Sequence, residues 1–295
     1  HPCQVLADLM TVREHKAVLE GLKMCYIGDG NNMANSLIVG GLKCGMEVAV
    51  ACPEGYDPAP QVLDFAKTVT GSTFTGNTAA NSGGAIYHTS AREFILVDST
   101  FTQNRANGAS ASYGGGAIYT NKAMTVKNSS FSGNSSAAGG GVIFATGSTA
   151  TVTLDGTTLG GSAANANSAV NGGGVYLTNG AGLKMVNGSA ISHNTASADG
   201  GGVAVVTTST YSSYTSTITM DGTSSIHSNS ATGSGGGIYA SGPKLTLVLD
   251  GVTLGGAAGK GNTARDGGGI ALASATVLSI DDTSVISHNA ATGNG

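Results

Sequence analysis

The sequence has no tryptophan, only five prolines and four cysteines, and just 10% charged and 5% aromatic side chains. Each scarcity excludes something. The 13 basic residues form no cluster and the formal net charge is −4, which excludes a nucleic-acid partner held by phosphate contacts. The longest apolar stretch, Met33 to Cys52, is broken by Asn35, Ser36, Lys43 and Glu47, so no segment reads as membrane-spanning. No Cys-x-x-Cys is present, so a zinc or redox motif has no support, and neither a metal nor a cofactor is expected. The 48 glycines follow no Gly-X-Y period, which excludes a collagen helix. A mean hydropathy of +0.10 excludes a disordered polyelectrolyte. Beginning at His1 and stopping at Gly295 inside a repeat, the chain is expected to be a fragment of a longer reading frame.

What remains divides into two regimes. Cys3, Cys25, Cys44 and Cys52 all lie near the start, and residues 1–67 hold most of the prolines and 13 of the charged side chains. The rest is a Gly/Ser/Thr/Asn/Ala-rich array holding 41 of the 48 glycines. The expected domains are therefore 1–67 and 68–295. The thiols, unpatterned in an α/β segment, are expected to be free, buried and small-apolar in role, as in a reducing compartment.

In the first regime, Val5, Leu6, Leu9, Met10 and Val12 fall near helical spacing over Gln4 to Lys16, with Gly21 as the stop. Lys23 to Ile27 reads as a buried strand ending at Gly28-Asp29-Gly30. Asn31 to Gly45 reads as a second helix striped by Met33, Leu37, Ile38 and Leu42, and Glu47 to Ala51 as a second, parallel strand. A helix over Gln61–Lys67 follows. This is a Rossmann-like βαβ unit, whose ligands sit at the carboxyl ends of the strands. Taken alone, Gly28-x-Gly30 is a plain strand-to-helix turn, and Asn32 is a candidate helix cap.

The residues His1-Pro2-Cys3-Gln4, Leu6 to Lys16, Gly28-Asp29-Gly30-Asn31-Asn32-Met33 and Pro53-Glu54-Gly55-Tyr56 closely resemble ornithine carbamoyltransferase over residues 1 to about 67. The resemblance implies that His1 and Gln4 hydrogen-bond the carbamoyl group of carbamoyl phosphate and that Asn32 contacts the main-chain groups of ornithine. It also implies a cytoplasmic origin for this segment. The family's upstream Ser-Thr-Arg-Thr-Arg loop and its downstream Asp-x-x-x-Ser-Met-Gly and His-Cys-Leu-Pro motifs are missing, so this segment is expected to be inactive, with no catalytic residue assigned.

In the second regime two markers alternate. One is Gly-Gly followed by apolar residues, as at Gly115-Gly116-Ala117-Ile118 and Gly140-Gly141-Val142-Ile143. The other is an apolar residue three before an Asn, ending on Asn77, Asn104, Asn134, Asn194, Asn229 and Asn289. Leu159 and Leu254 hold the apolar position in two rungs where the Asn is displaced. Between the markers, runs such as Leu245 to Leu249 alternate apolar and polar residues, the period of strands with one buried face. Short strands, glycine corners and a repeating Asn predict a mainly β fold, a right-handed, single-stranded parallel β-helix. Seven or eight rungs at about 4.8 Å would make a rod on the order of 35–40 Å long. Asn suits these corners because it tolerates left-handed geometry and stacks into side-chain ladders.

Gly-Gly-Ala-Ile with Phe-x-x-Asn resembles the repeats of the chlamydial polymorphic outer-membrane proteins and related adhesin-like proteins, over residues 69–295. The resemblance implies a cell-surface or secreted module whose partner is a host or neighbouring cell surface or a polysaccharide. A polysaccharide-active β-helix enzyme is the alternative, with Asp98, Asp155, Asp221, Asp250 and Asp281 as its acidic candidates. Those residues recur at one repeat position shared with Asn128 and Asn187, which favours a turn role. His193, His227 and His288 read as corner or outward residues. Asp199, Asp266, Arg92, Arg105 and Arg265 are irregular in the pattern. With no linker between the two regimes, a join made by recombination or by sequence assembly is expected near residue 67.

Overall fold

Helix and strand alternate at the start of the chain, and short strands dominate the rest. In this computed structural model the polypeptide divides into two units, 1–68 and 69–295. The structure describes residues 1–66, 69–90, 94–209, 212–274 and 276–295. Lys67 and Arg92, named above, lie outside the described residues.

The first unit runs α1 (Pro2–Lys16), β1 (Lys23–Ile27), α2 (Asn32–Lys43), β2 (Glu47–Ala51) and α3 (Pro60–Ala66). β1 and β2 pair in parallel, in register from Lys23 with Glu47 to Ile27 with Ala51. α1 ends on Ala17 in left-handed geometry (φ 66), upstream of the expected Gly21, which instead turns the chain into β1 with its N–H on the Gly45 carbonyl. α2 crosses the sheet through Gly41, where a Cβ would lie 2.7 Å from Met24 Cε and 2.8 Å from Val48 Cγ2. Gly40 meets Val5 and Leu9 of α1 in the same way. The core is small: Val5, Leu9, Ala34, Ile38 and Met46 are buried, with Met24, Met33, Leu37 and Val48 half-buried around them.

Within the first unit, the described residues cover only one face of this sheet. Met24, Tyr26, Val48 and Val50 are half-buried, while Cys25, Ile27, Ala49 and Ala51 on the opposite face are exposed, Ile27 to 81%. That corrects the expectation for the thiols. All four are free, but Cys3 and Cys25 are exposed and Cys44 and Cys52 half-buried. Within the first unit, Cys25 points to the sheet face that no described helix covers.

From Val69 onward the chain is a parallel β-solenoid with four sheets. The first, through Met124–Lys127, the second, through Ser130–Ser132, and the third, through Ser135–Ser136, each have eight strands; the fourth, through Ile143–Thr146, has seven. Every pairing is parallel and in register, so equivalent residues of successive rungs stack. On the second sheet one column runs Phe74, Phe101, Phe131, Leu159, Ile191, Ile226, Leu254, Ile286. The first two ring pairs in it stack at 4.3 and 4.6 Å. The fourth sheet supplies Ile86, Ile118, Ile143, Val175, Val203, Ile238 and Ile270 from the opposite side. Phe101, Phe131, Ile118 and Ile143 are completely buried. Alternation on the first sheet does the rest: Val152 and Leu154 point inward while Thr151 is exposed and Thr153 half-buried.

Each Gly-Gly marker does two different jobs. Gly140 has φ +65, and a Cβ on it would lie 2.2 Å from the Ile143 carbonyl, so the first glycine makes the corner. On Gly141 a Cβ would lie 2.1 Å from the Gly173 carbonyl of the next rung, so the second glycine lets rungs approach. The aspartates do not share the single position expected: Asp155 pairs with Val186, whereas Asp250 pairs with Thr219. Asp98, Asn128 and Asn187 take left-handed geometry themselves (φ 50, 46 and 55). In Asp155-Gly156 and Asp250-Gly251 the Asp is the last strand residue and the glycine takes the corner (φ 59 and 64).

Candidate functional site

The residues assigned to substrate in the first unit sit at helix starts. His1 precedes α1 as its N-cap residue and makes no side-chain capping bond. Gln4 lies within α1, and its Nε2 donates to Asp8 Oδ1 at 2.9 Å along the exposed face. Asn32 opens α2 and is exposed. The cap is Asn31, not Asn32: its Oδ1 accepts from the N–H groups of Met33 (2.9 Å) and Ala34 (3.3 Å). Gly30 fixes the turn before it. A Cβ there would lie 2.2 Å from Asp57 C and Pro58 N, and its N–H donates to the Tyr56 carbonyl at 2.7 Å. A groove of about 410 Å³ between the helices is lined by Val5, Leu6, Asn35, Val39 and Val62 among others, and none of His1, Gln4 or Asn32 is on its wall.

In the solenoid the repeating Asn side chains form one ladder. Asn134 shows its chemistry: Oδ1 accepts both the backbone N–H (3.0 Å) and the Nδ2–H (2.9 Å) of Asn104. Its own Nδ2 donates to Asn167 Oδ1 at 2.9 Å and to the Phe101 carbonyl at 3.0 Å. The six asparagines read from the sequence all belong to it: Asn77, Asn104, Asn134, Asn194, Asn229 and Asn289. Two more join them. The rungs of Leu159 and Leu254, where the spacing displaces the Asn, have Asn167 and Asn262 in the ladder, with Asn167 Nδ2 donating to Asn194 Oδ1 and Asn229 Nδ2 to Asn262 Oδ1. A longer corner, including the 3₁₀ turn Ala163–Asn165 in the first case, carries the chain out and back before the ladder resumes.

Two further columns escape the repeat spacing. Buried hydroxyls link rungs, with the N–H of Ser99 donating to Ser129 Oγ, that of Ser129 to Thr157 Oγ1 and that of Thr157 to Ser189 Oγ. At the glycine corner Asp199 Oδ1 accepts the Ser234 N–H at 2.7 Å and Asp266 Oδ1 accepts the Asn294 N–H at 2.9 Å. Ser234 bridges Asp266 in parallel, so Asp199 and Asp266 belong to one regular column and not to an irregular cluster. Arg265 pairs with its neighbour Asp266 at 2.7 Å, and Arg105 Nε donates to Asn107.

The carboxylates are held as turn acceptors. Burial alone would raise the Asp221 pKa, but the N–H of Asn187 and the N–H and hydroxyl groups of Thr223 and Ser224 outweigh it and keep the group well below the usual range. Ser284 and Thr283 do the same for Asp281. The Asn294 N–H, then Arg265, lower Asp266 to about 2. Each is stabilised as an anion by groups of its own or a neighbouring rung, which is the chemistry of a corner and not of a general acid. Among the described residues no group of three or more His, Cys, Asp or Glu is placed to hold a metal ion.

Residues 20–90 match the aspartate/ornithine carbamoyltransferase Asp/Orn-binding domain. Residues 98–121, 128–146 and 223–241 match the Chlamydia polymorphic membrane protein repeat. Ornithine carbamoyltransferase of Methanosarcina mazei is 48% identical over 90 residues, 30% of this chain and 30% of that protein. That of Gloeobacter violaceus is 55% identical over 73 residues, 25% of this chain and 23% of the relative. That of Methanobrevibacter smithii is 52% identical over 67 residues, 23% and 22% respectively. The chain thus spans under a third of the length of these relatives. No solved structure matches it. The carbamoyltransferase match extends past the first unit to residue 90, but Thr73–Thr75 pairs in register with Thr100–Thr102 and Ile86–His88 with Ile118–Thr120, which makes that stretch the first rung of the solenoid.

Proposed function

We propose that this chain is a surface-exposed or secreted, adhesin-like solenoid (residues 68–295) preceded by a carbamoyltransferase-like segment (residues 1–67) that transfers no carbamoyl group. One observation carries the first half of the reading. The recurring polar residues of the repeat, Asn, Ser/Thr and Asp, are engaged in rung-to-rung hydrogen bonds, so the repeat builds a rod and leaves its outward faces and loops free to vary. The repeats match a polymorphic membrane protein family, which supports display at a surface, and the partner class is a host or neighbouring cell surface or its polysaccharide. Antibodies to the solenoid should label intact cells that make the chain. Labelling that appears only after permeabilisation would sink the surface reading.

The second half rests on the residues beyond Thr68. Where a carbamoyltransferase needs further motifs to clamp ornithine, this chain folds into solenoid rungs, and His1, Gln4 and Asn32 remain on exposed helix starts. The 48–55% identity of the carbamoyltransferase relatives favours the competing reading, in which carbamoyl phosphate and ornithine still bind. Citrulline formation abolished by His1→Ala would establish that reading and overturn ours. A join by recombination or sequence assembly is tested by one long genomic read across codons 60–75: an unbroken frame makes the fusion natural.

A further inference from the structure

The outer face of the fourth sheet carries an aromatic column. Tyr87, Tyr119, Phe144 and Tyr176 stack along it at 4.6, 5.4 and 5.0 Å with planes within 12°. Burial changes along the column. Phe144 and Tyr176 are 1% and 6% exposed, Tyr119 is half-buried, and Tyr87 is 61% exposed. One face of the Tyr87 ring lies against Tyr119, and its strand, Ile86–His88, is the last of its sheet. Its exposed area is therefore the opposite face and the edge.

A loop completes a cleft beside that face. Asn104 to Gly115 is eleven positions, against six from Asn134 to Gly140. The additional residues bring Tyr113 alongside: a Cβ on Gly108 would lie 2.6 Å from its ring, so the glycine makes room for it. The loop is anchored, with the Gly108 N–H on the Asn81 carbonyl (3.3 Å), the Tyr113 N–H on the Ser110 carbonyl (2.8 Å) and the Gly114 N–H on Ser82 Oγ (3.2 Å). The resulting cleft of about 440 Å³ is walled by Tyr87, Tyr113, Tyr119, Asn81, Ser82 and Ser112. That falls within the roughly 300–1,000 Å³ typical of ligand sites.

We propose that this cleft binds a neutral oligosaccharide by stacking a sugar ring on Tyr87 and Tyr113. Among the described residues the wall holds no charged side chain, which disfavours anionic or cationic ligands. Aromatic faces carry negative charge density that attracts the weakly positive C–H face of a pyranose. Amide and hydroxyl groups both donate and accept, matching the hydroxyls around a sugar's rim. Burial first, then Tyr87, raise the pKa of the Tyr119 hydroxyl, so it is neutral at ordinary pH. The proposal deepens the surface reading by naming a ligand class and a site, and it rests on that reading only for where the glycan would be met.

The test titrates the purified full-length chain with cellohexaose, xylohexaose, mannohexaose and N-acetylchitohexaose, with hexagalacturonate as the anionic probe and decaproline as a peptide probe. Calorimetry reads binding, supported by tyrosine fluorescence, which no tryptophan obscures. At least one neutral hexasaccharide should bind, hexagalacturonate at least roughly tenfold more weakly. Tyr87→Ala and Tyr113→Ala should each weaken binding at least roughly tenfold, and Tyr87→Phe should keep it within about threefold, all at unchanged thermal midpoints. The proposal is overturned if no neutral hexasaccharide binds below about 10 mM, if binding survives both alanine substitutions, or if decaproline binds the cleft in their place. Because the titration needs no cell, its failure leaves the surface labelling experiment to stand or fall on its own.

Discussion

Replacing Asn134 by alanine removes four hydrogen bonds at once: two made by its Nδ2, to Asn167 Oδ1 and the Phe101 carbonyl, and two accepted by its Oδ1 from Asn104. The consequences differ group by group. Asn104 Nδ2 keeps the Phe74 carbonyl, and Asn167 Oδ1 keeps the Asn134 N–H. The Asn104 backbone N–H is left with no acceptor in a residue that is completely buried. A buried orphan of this kind costs about 1–3 kcal/mol, and the three other lost hydrogen bonds about 1 kcal/mol each, so Asn134→Ala should destabilise by about 4–6 kcal/mol. Asn77→Ala at the exposed end loses an Nδ2 bond to Asn104 and orphans nothing buried, and should cost below about 1 kcal/mol. Urea unfolding of the full chain followed by far-UV circular dichroism measures both. A third variant sharpens the test. Asn134→Asp keeps the acceptor but turns a carboxylate towards two oxygens, which raises its folded pKa. The additional loss should be absent below an unfolded pKa of about 3.9 and grow as pH rises above it. Equal midpoints for Asn134→Ala and Asn77→Ala would refute the ladder as a source of stability.

Three further outcomes are expected. With one sheet face uncovered and a small core, amides of residues 1–66 should exchange far faster than those of Val142 to Val205, and equal protection would show that the first unit is as well consolidated as the array. Gly141→Ala places a methyl against a backbone carbonyl and should cost at least about 3 kcal/mol, whereas Gly188→Ala, with φ +72 in open space, should cost about 1 kcal/mol; similar thermal midpoints would contradict the steric assignment. Asp221, Asp266 and Asp281 have depressed folded pKa values, so their stabilisation is present above the ordinary 3.8 and lost as pH falls through the folded values, about 2 for Asp266. Hydrogen exchange should therefore show residues 214–295 losing protection between pH 4 and pH 2 before the central rungs do, and a uniform loss would count against it.

Much of this was legible in the residues. The strands Lys23–Ile27 and Glu47–Ala51 and the stacked column through Phe101, Phe131, Ile191 and Ile226 follow from alternation and from repeat spacing. The rungs of Asn167 and Asn262 are misread when the Asn is counted forward from the apolar marker, across a corner of variable length. Their local pattern is nevertheless the same: Asn167-Ser168-Ala169 and Asn262-Thr263-Ala264 match Asn194-Thr195-Ala196, and Ser168 and Ala169 pair in register with Thr195 and Ala196. The thiols are misplaced because burial depends on a sheet face whose covering helices are not written in the strand itself. The tyrosine cleft has no local signature: Tyr87, Tyr113 and Tyr119 meet only because in-register pairing places two of them one rung apart and a loop returns the third.

The variable corners bear on how such a chain changes over generations. Successive ladder asparagines are separated by anything from 27 to 35 residues, yet each meets the next at the same bond lengths. Alignment between turns is thus set by in-register strand pairing and the side-chain ladder together, and not by counting residues. A gene encoding this array can gain, lose or duplicate a whole turn, or lengthen one corner, without any neighbouring turn having to repack. New binding loops can arise by insertion in a single step, in a scaffold that registers the change only where it occurs.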